Sequence, residues 1–292
     1  APELIILDEA QRIKNWRTRL ARTVKQLPSP YAFVLTGTPL ENRLEELYSI
    51  VEFIDRHHLG PLFRLLDRHQ VVDEGGKVVG YKNLQRLGES LRTIMIRRKR
   101  QDVLPQLPAR VEKYCFVPLT EAQRAIHAAH QETVARLVHK WRRHHFLTEE
   151  DKQRLMRALQ AMRMVCDSTY LLDPNTKHGR KVEEIEAQLR DILEEPEVKV
   201  VIFSQWLRMM ELIIERLKRN GWKHAFLHGG VPSHQRGACL QAFQDDAACR
   251  VLLCTEVGGV GLNLQQAAVV LNADLPWSPA ILEQRISRVH RM

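Results

Sequence analysis

Apolar positions change their period twice along the chain. Leu4–Leu7 and Ala32–Leu35 are short apolar runs separated by a mixed stretch. The turn Thr36-Gly37-Thr38-Pro39 follows, and then Leu44, Leu47, Ile50, Val51 and Ile54 recur at helical spacing. Strand, helix, strand, helix is the alternation of a parallel α/β sheet. From about Gly60 to Glu195 the period becomes helical. Thr120-Glu121-Ala122-Gln123 reads as a capping box opening a helix past Ile126, Val134, Leu137 and Val138, and Thr148 opens another carrying Leu155, Leu159, Met162 and Val165. Within this middle, Val71 to Val79 reads as a small hairpin across Gly75-Gly76. From Val198 the alternation returns, with strands predicted at Val200–Phe203, Ala225–Leu227, Val251–Cys254 and Ala268–Leu271. Helices are predicted to end at Asn220-Gly221, to pass through Ala238 and Phe243, and to start at about Pro279. The expected fold is α/β, with two parallel-sheet lobes, the first incomplete, and helical insertions between them: 1–60, 61–195 and 196–292.

Composition narrows the partners. A chain of 292 residues is long enough for about two domains. Its 44 Lys+Arg against 35 Asp+Glu give a net charge of +9, which favours a polyanion such as nucleic acid but equally fits a merely basic soluble protein. Five cysteines without C-x-x-C spacing indicate neither a disulfide framework nor a structural zinc site, and the thirteen histidines demand no metal. No apolar run approaches the roughly 18 residues of a membrane span, so a soluble, intracellular protein with no membrane partner is expected. Ala1 and the strand almost directly after it suggest a chain that starts inside a longer one.

Four places carry candidate chemistry. Asp8 and Glu9 end the first strand, where ligands of open α/β sheets bind. The first carboxylate could hold magnesium on a nucleotide and the second could orient a water for phosphoryl transfer; the plain alternative is a pair capping the next helix. Thr36 and Thr38 also follow a strand and would place hydroxyls beside those carboxylates, unless the segment is only a turn. Thr255 to Asn263 holds three glycines that would let backbone N–H groups approach phosphates, although it fits neither G-x-G-x-x-G nor a phosphate loop. In the last helix, Arg288 and Arg291 are three apart and share a face from which they could meet charge developing on a phosphate; a solvated basic face is the alternative. Arg97–Arg100 reads as solvated charge or as a basic brace near DNA, and the basic, histidine-rich run Lys140–His145 around Trp141 reads as an exposed helix face sooner than as a site.

Together these blocks resemble superfamily-two helicases. More closely, LTGTPLENRLEELYSI, MIRRKRQDVLPQLP, VIFSQW, LHGGVPSHQRG, TEVGGVGLNLQ and EQRISRVHRM are similar to the Swi/Snf-type DNA translocases, along essentially the whole chain. The resemblance implies two RecA-like lobes and a DNA-dependent ATPase that uses ATP and Mg2+ to move along double-stranded DNA and displace DNA-bound proteins. It implies magnesium binding by Asp8, water polarisation by Glu9, and a finger pair in Arg288 and Arg291 beside Gln284. It also implies a contact from Gln11 to the other lobe, nucleotide-to-DNA coupling by Thr36 and Thr38, and a nucleotide-side role for Gly261. DNA-backbone contacts would come from Ser204, Gln205, His228, Gly229, Thr255, Gly259 and Asn263. Glu256 stands where the family usually has Asp, so a hydrogen bond made there would come from a longer arm. No G-x-x-x-x-G-K-[ST] occurs in these residues, so the expectation is a fragment inactive by itself, cut from an active parent. Two other readings stay open: an RNA helicase or restriction-enzyme motor, and a decayed ATPase kept as a DNA-binding scaffold. The compact insert leans bacterial, implying cytoplasm and nucleoid; a eukaryotic relative would be nuclear.

Overall fold

The computed structural model describes residues 2–37, 43–98, 109–256 and 262–290. Thr38, Gly259, Gly261 and Arg291 lie outside them, as do Lys99 and Arg100 of the basic run. The chain divides into two compact units, 1–105 and 106–292. The helical middle expected as one segment is therefore shared between the two.

In the first unit, β1 (Leu4–Leu7) and β2 (Tyr31–Val34) pair in parallel, with Leu4 opposite Tyr31 and Leu7 opposite Val34. The crossover carries α1 (Arg19–Lys25), whose N-cap Thr18 hydroxyl accepts from Ala21 N. One sheet face packs Leu7 and Val34 on Ala10, Ile13, Ala21 and Ile50, the last from α2 (Leu44–Ile54). The opposite face leaves Leu4, Ile6, Tyr31, Phe33 and Leu35 exposed, an apolar surface of the kind a further layer covers. α2 also packs with α3 (Leu62–His69) and α4 (Leu84–Leu91) through Leu47, Leu65, Leu87 and Leu91. The predicted hairpin is present as β3 (Gln70–Val72) and β4 (Val78–Tyr81), turning at Gly76 with φ +76°.

The second unit is built on four parallel strands, β5 (Val200–Phe203), β6 (His224–Leu227), β7 (Val251–Cys254) and β8 (Val269–Asn272), in the order β6-β7-β5-β8. The central strands Val-Val-Ile-Phe and Val-Leu-Leu-Cys are apolar at every position because both faces are covered, and each of these residues is buried. Met209, Met210, Ile213 and Leu217 of α8 (Leu207–Arg219) seal one face with α7 (Lys181–Leu193); Phe243 of α9 (Ser233–Asp245) lies in the cluster on the other. α8 ends in a Schellman motif: Trp222 N donates to Leu217 O, Gly221 N donates to Lys218 O, and Gly221 has φ +69°. Two cations close helix ends: Lys199 donates to the carbonyls of Phe243, Gln244 and Asp246, and Arg250 to those of Leu193, Glu195 and Val198. His224 and His228 are four apart, a helical ligand spacing, but His224 opens strand β6 and His228 follows its end, so they do not share a helix face.

Both capping boxes form. Thr120 and Gln123 open α5 (Glu121–His144), Thr148 and Asp151 open α6 (Glu149–Asp167), and the two make a long helical hairpin. Gln123 Nε2 donates to Val165 O at 2.6 Å and closes its base. α10 (Pro279–Val289) ends the described chain. Among the described residues, no helix is long and apolar enough to cross a membrane.

Candidate active site

The exits of β1 and β2 are tied together. Leu35 N donates to Leu7 O at 2.8 Å and Ala10 N to Leu35 O at 3.1 Å, so the acidic turn and the Thr36 turn leave the sheet side by side. Glu9 sits in the left-handed region, φ 52° and ψ 49°, a conformation that costs a non-glycine residue roughly 1–2 kcal/mol. Its backbone N–H donates to Asp8 Oδ1 at 2.8 Å. Ala10–Ile13 then forms a single 3-10 turn that receives no side-chain cap from Glu9, so the structure gives no support to a capping role for this carboxylate.

Gln11 sets the polarity of this edge. An ionised Glu9 carboxylate can only accept, so the Gln11 amide nitrogen faces it, with Nε2 to Oε2 at 2.5 Å. The amide oxygen then accepts from Thr36 Oγ1 at 2.9 Å. Glu9, Gln11 and Thr36 form a relay across the two strand exits, the neighbourhood expected from their positions. Both polar ends of Gln11 are engaged inside the first unit.

At the carboxyl edge of the second sheet the centre is Arg285, a residue sequence reasoning passed over. It is 4% exposed. Its guanidinium donates to Asp274 O at 2.8 Å, to Glu256 Oε1 at 2.9 Å, to Asn272 Oδ1 at 3.3 Å and to Asp274 Oδ1 at 3.4 Å. Asp274 also accepts from Gln205 N and from the Ser204 hydroxyl. The exits of β5, β7 and β8 are thus bound into one polar network by a single cation, whose two terminal nitrogens pair the buried charge while Arg285 Nε has no partner among the described residues. Glu256 uses its longer arm to reach Arg285.

The other expected residues are placed as follows. Ser204 is 0% exposed and its hydroxyl is given to Asp274, so its side chain faces the network and not solvent. Thr255 is also buried, and its N–H donates to Leu227 O at 3.0 Å. His228 and Gly229 stand at the exit of β6, where His228 Nδ1 accepts from Gly230 N at 3.1 Å and the imidazole lies against Phe226. Asn263 Nδ2 donates to Gln265 Oε1 at 2.9 Å. Gln284 is partly exposed on α10, while Arg288 is buried one turn from Arg285. The Arg288 carbonyl accepts from Leu264 N at 2.9 Å, fixing α10 to the segment that precedes β8.

A second pair, a buried carboxylate with a partly exposed lysine, supports this edge. Lys181 Nζ donates to Asp167 Oδ1 at 2.5 Å and to Ala273 O at 3.1 Å, just before Asp274. Burial pushes the Asp167 carboxyl up to about 6, with the ammonium of Lys181 working in the opposite direction. Neither Asp167 nor Lys181 carries a motif that would have marked it; what marks them is a contact between segments far apart in sequence.

Comparison with known proteins bears on this architecture directly. A SNF2-related domain matches residues 2–171, more than half of the chain, and a helicase conserved C-terminal domain matches residues 180–292. The chain belongs to the SNF2-related family. YwqA of Bacillus subtilis strain 168 is 30% identical over 99% of this chain and 31% of its own length. The human SWI/SNF-related matrix-associated actin-dependent regulator of chromatin subfamily A member 1 is 28% identical over 99% of this chain and 28% of its own length. The chain therefore spans between about a quarter and a third of the length of the relatives it matches. Among solved structures, the Sulfolobus solfataricus SWI2/SNF2 ATPase core in complex with dsDNA aligns with a TM-score of 0.53 at 24% identity, covering 99% of this chain and 61% of that one. The fold is that of the SWI2/SNF2 ATPase core, with RecA-like parallel sheets.

Proposed function

We propose that this chain is part of a DNA-dependent ATPase that moves along double-stranded DNA and remodels or displaces proteins bound to it. The observation that carries the reading is the relay from Glu9 through Gln11 to Thr36 at the exits of two adjacent parallel strands, in a chain of the SNF2-related family. An acid at a strand exit is where an α/β sheet presents groups to a nucleotide.

The residues fit ATP with magnesium. Magnesium takes one or two carboxylates together with substrate phosphates instead of a protein cage, and Asp8 and Glu9 offer such a pair on one turn. Bound to the phosphates there, magnesium would supply charge neutralisation. Asp8 would hold it, and Glu9 would orient the attacking water, with its carboxylate direction held by Gln11. Thr36 hangs on the same amide and would pass on a change at Glu9, with Thr38 acting beside it in coupling nucleotide to DNA. Arg288 and Arg291 would meet the transferring phosphoryl group, and Gln284 and Gly261 would line the nucleotide side. Gln205, His228, Gly229, Thr255, Gly259 and Asn263 would lie along the DNA backbone, where contacts are independent of base sequence and weaken with salt.

The outer β1–β2 face and the share of each relative covered both support a longer parent. In that parent, Arg291→Ala should lower phosphate release on duplex DNA by on the order of 10³-fold, the scale of an arginine finger, with duplex affinity retained. Full activity in that variant would remove the finger assignment. The 292 residues alone should release no phosphate from ATP above background, and turnover that disappears with Glu9→Gln would refute this.

A further inference from the structure

The α5–α6 hairpin carries surface that the proposed site does not use. Its base is latched to the carboxyl edge of the second sheet. Arg163 of α6 donates to Leu275 O and lies 4.5 Å from the ring centre of Trp277, in the loop directly after Asp274; Asp167 meets Lys181, which holds Ala273 O. The other end projects: α5 has 24 residues, so the tip stands about 36 Å of helix away from Thr120. That is close to one turn of duplex DNA, about 34–36 Å.

The chemistry of the tip suits a polyanion. Arg142 and Arg143 are exposed and, among the described residues, neither has a carboxylate partner. The acids of the facing helix start are divided: Asp151 takes Lys140 at 2.6 Å, Glu149 takes Lys152 at 3.3 Å, and Glu150 faces solvent. One or two cations would serve the negative end of α5, but here exposed apolar rings stand with them. Phe146 is 65% exposed and Trp141 is 43% exposed, its ring edge-on to His145. Exposed guanidinium groups without a carboxylate partner are the groups that take duplex phosphates.

We infer that the tip of this hairpin is a second DNA contact, at which Arg142 and Arg143 bind duplex phosphates about one helical turn from the grip at the sheet edge. This rests on the DNA-translocase reading. The test is duplex binding by the 292-residue chain as a function of salt, on a hairpin-capped duplex of about 8 base pairs, too short at 3.4 Å per pair to span both places, and on one of about 24. Arg142→Gln/Arg143→Gln should weaken binding to the long duplex about 10-fold, reduce its log–log salt slope by about 2, and change the short duplex by less than about 2-fold. Arg142→Lys/Arg143→Lys, which keeps both charges, should bind as the parent does, and circular dichroism should give equal helix content throughout. Unchanged affinity and slope for the Gln pair on the long duplex would overturn the second contact while leaving the translocase reading in place. Failure of the unsubstituted chain to bind either duplex would overturn both.

Discussion

Replacing Arg285 with alanine probes how the carboxyl edge of the second sheet is held. Arg285 is 4% exposed and its removal takes four hydrogen bonds with it. The two carboxylates left behind differ. Glu256 has a side chain 34% exposed, so water would take over most of its lost partner and its share is about 0.5–1 kcal/mol. Asp274 has a side chain 6% exposed and would keep only Ser204 and the Gln205 N–H, so most of the cost of breaking a buried pair, about 3–5 kcal/mol, falls there. The expected loss is about 3 kcal/mol of the stability of the second unit. Glu256→Gln alone should cost about 1 kcal/mol or less. Asp274→Asn combined with Arg285→Ala should cost clearly less than the sum of the two single changes, because it removes the stranded charge. Amide exchange at β5 and β7 reads the second unit separately from the first. A loss below about 1 kcal/mol for Arg285→Ala, or strict additivity with Asp274→Asn, would refute this account of the network.

Burial raises the Asp167 carboxyl from its usual 3.8 to about 6, so the protonated form favours the folded state. That contribution is complete below about pH 4 and is lost as pH rises through about 6, so the stability deficit of Asp167→Asn, from urea midpoints across this range, should shrink as pH rises; a pH-independent deficit would contradict the shift. Thr148→Ala removes a hydroxyl that accepts from Asp151 N and should cost about 1 kcal/mol, read as faster amide exchange in the first turn of α6.

The lobes were legible because buried parallel strands leave unbroken apolar runs: Val-Val-Ile-Phe and Val-Leu-Leu-Cys needed no tertiary information. Both capping boxes were legible for a similar reason, since Thr120 with Gln123 and Thr148 with Asp151 act within one turn. The division of the helical middle was not, because helical periodicity says which face is apolar but not which lobe it meets. Asp8, Glu9 and Thr36 could be placed at strand exits, whereas the engagement of Gln11 with both Glu9 and Thr36 depends on the register that sets Leu7 beside Val34. Arg285 was the costliest omission. In the sequence nothing sets it apart on a basic helix, and only packing against the strand exits shows that the side toward Arg285 and Arg288 is buried. A hint was available in the acids and amide that follow those strands, Glu256, Asn272 and Asp274, which need a cation once the strands are buried.

The most direct test of the central claim is phosphate release from ATP by the full parent protein, with and without duplex DNA, for the natural sequence and for Glu9→Gln. The account predicts release that rises strongly with duplex DNA and falls by on the order of 10²-fold or more when Glu9 can no longer orient the water, with DNA affinity retained. Release that is indifferent to duplex DNA, or that survives Glu9→Gln, would contradict it.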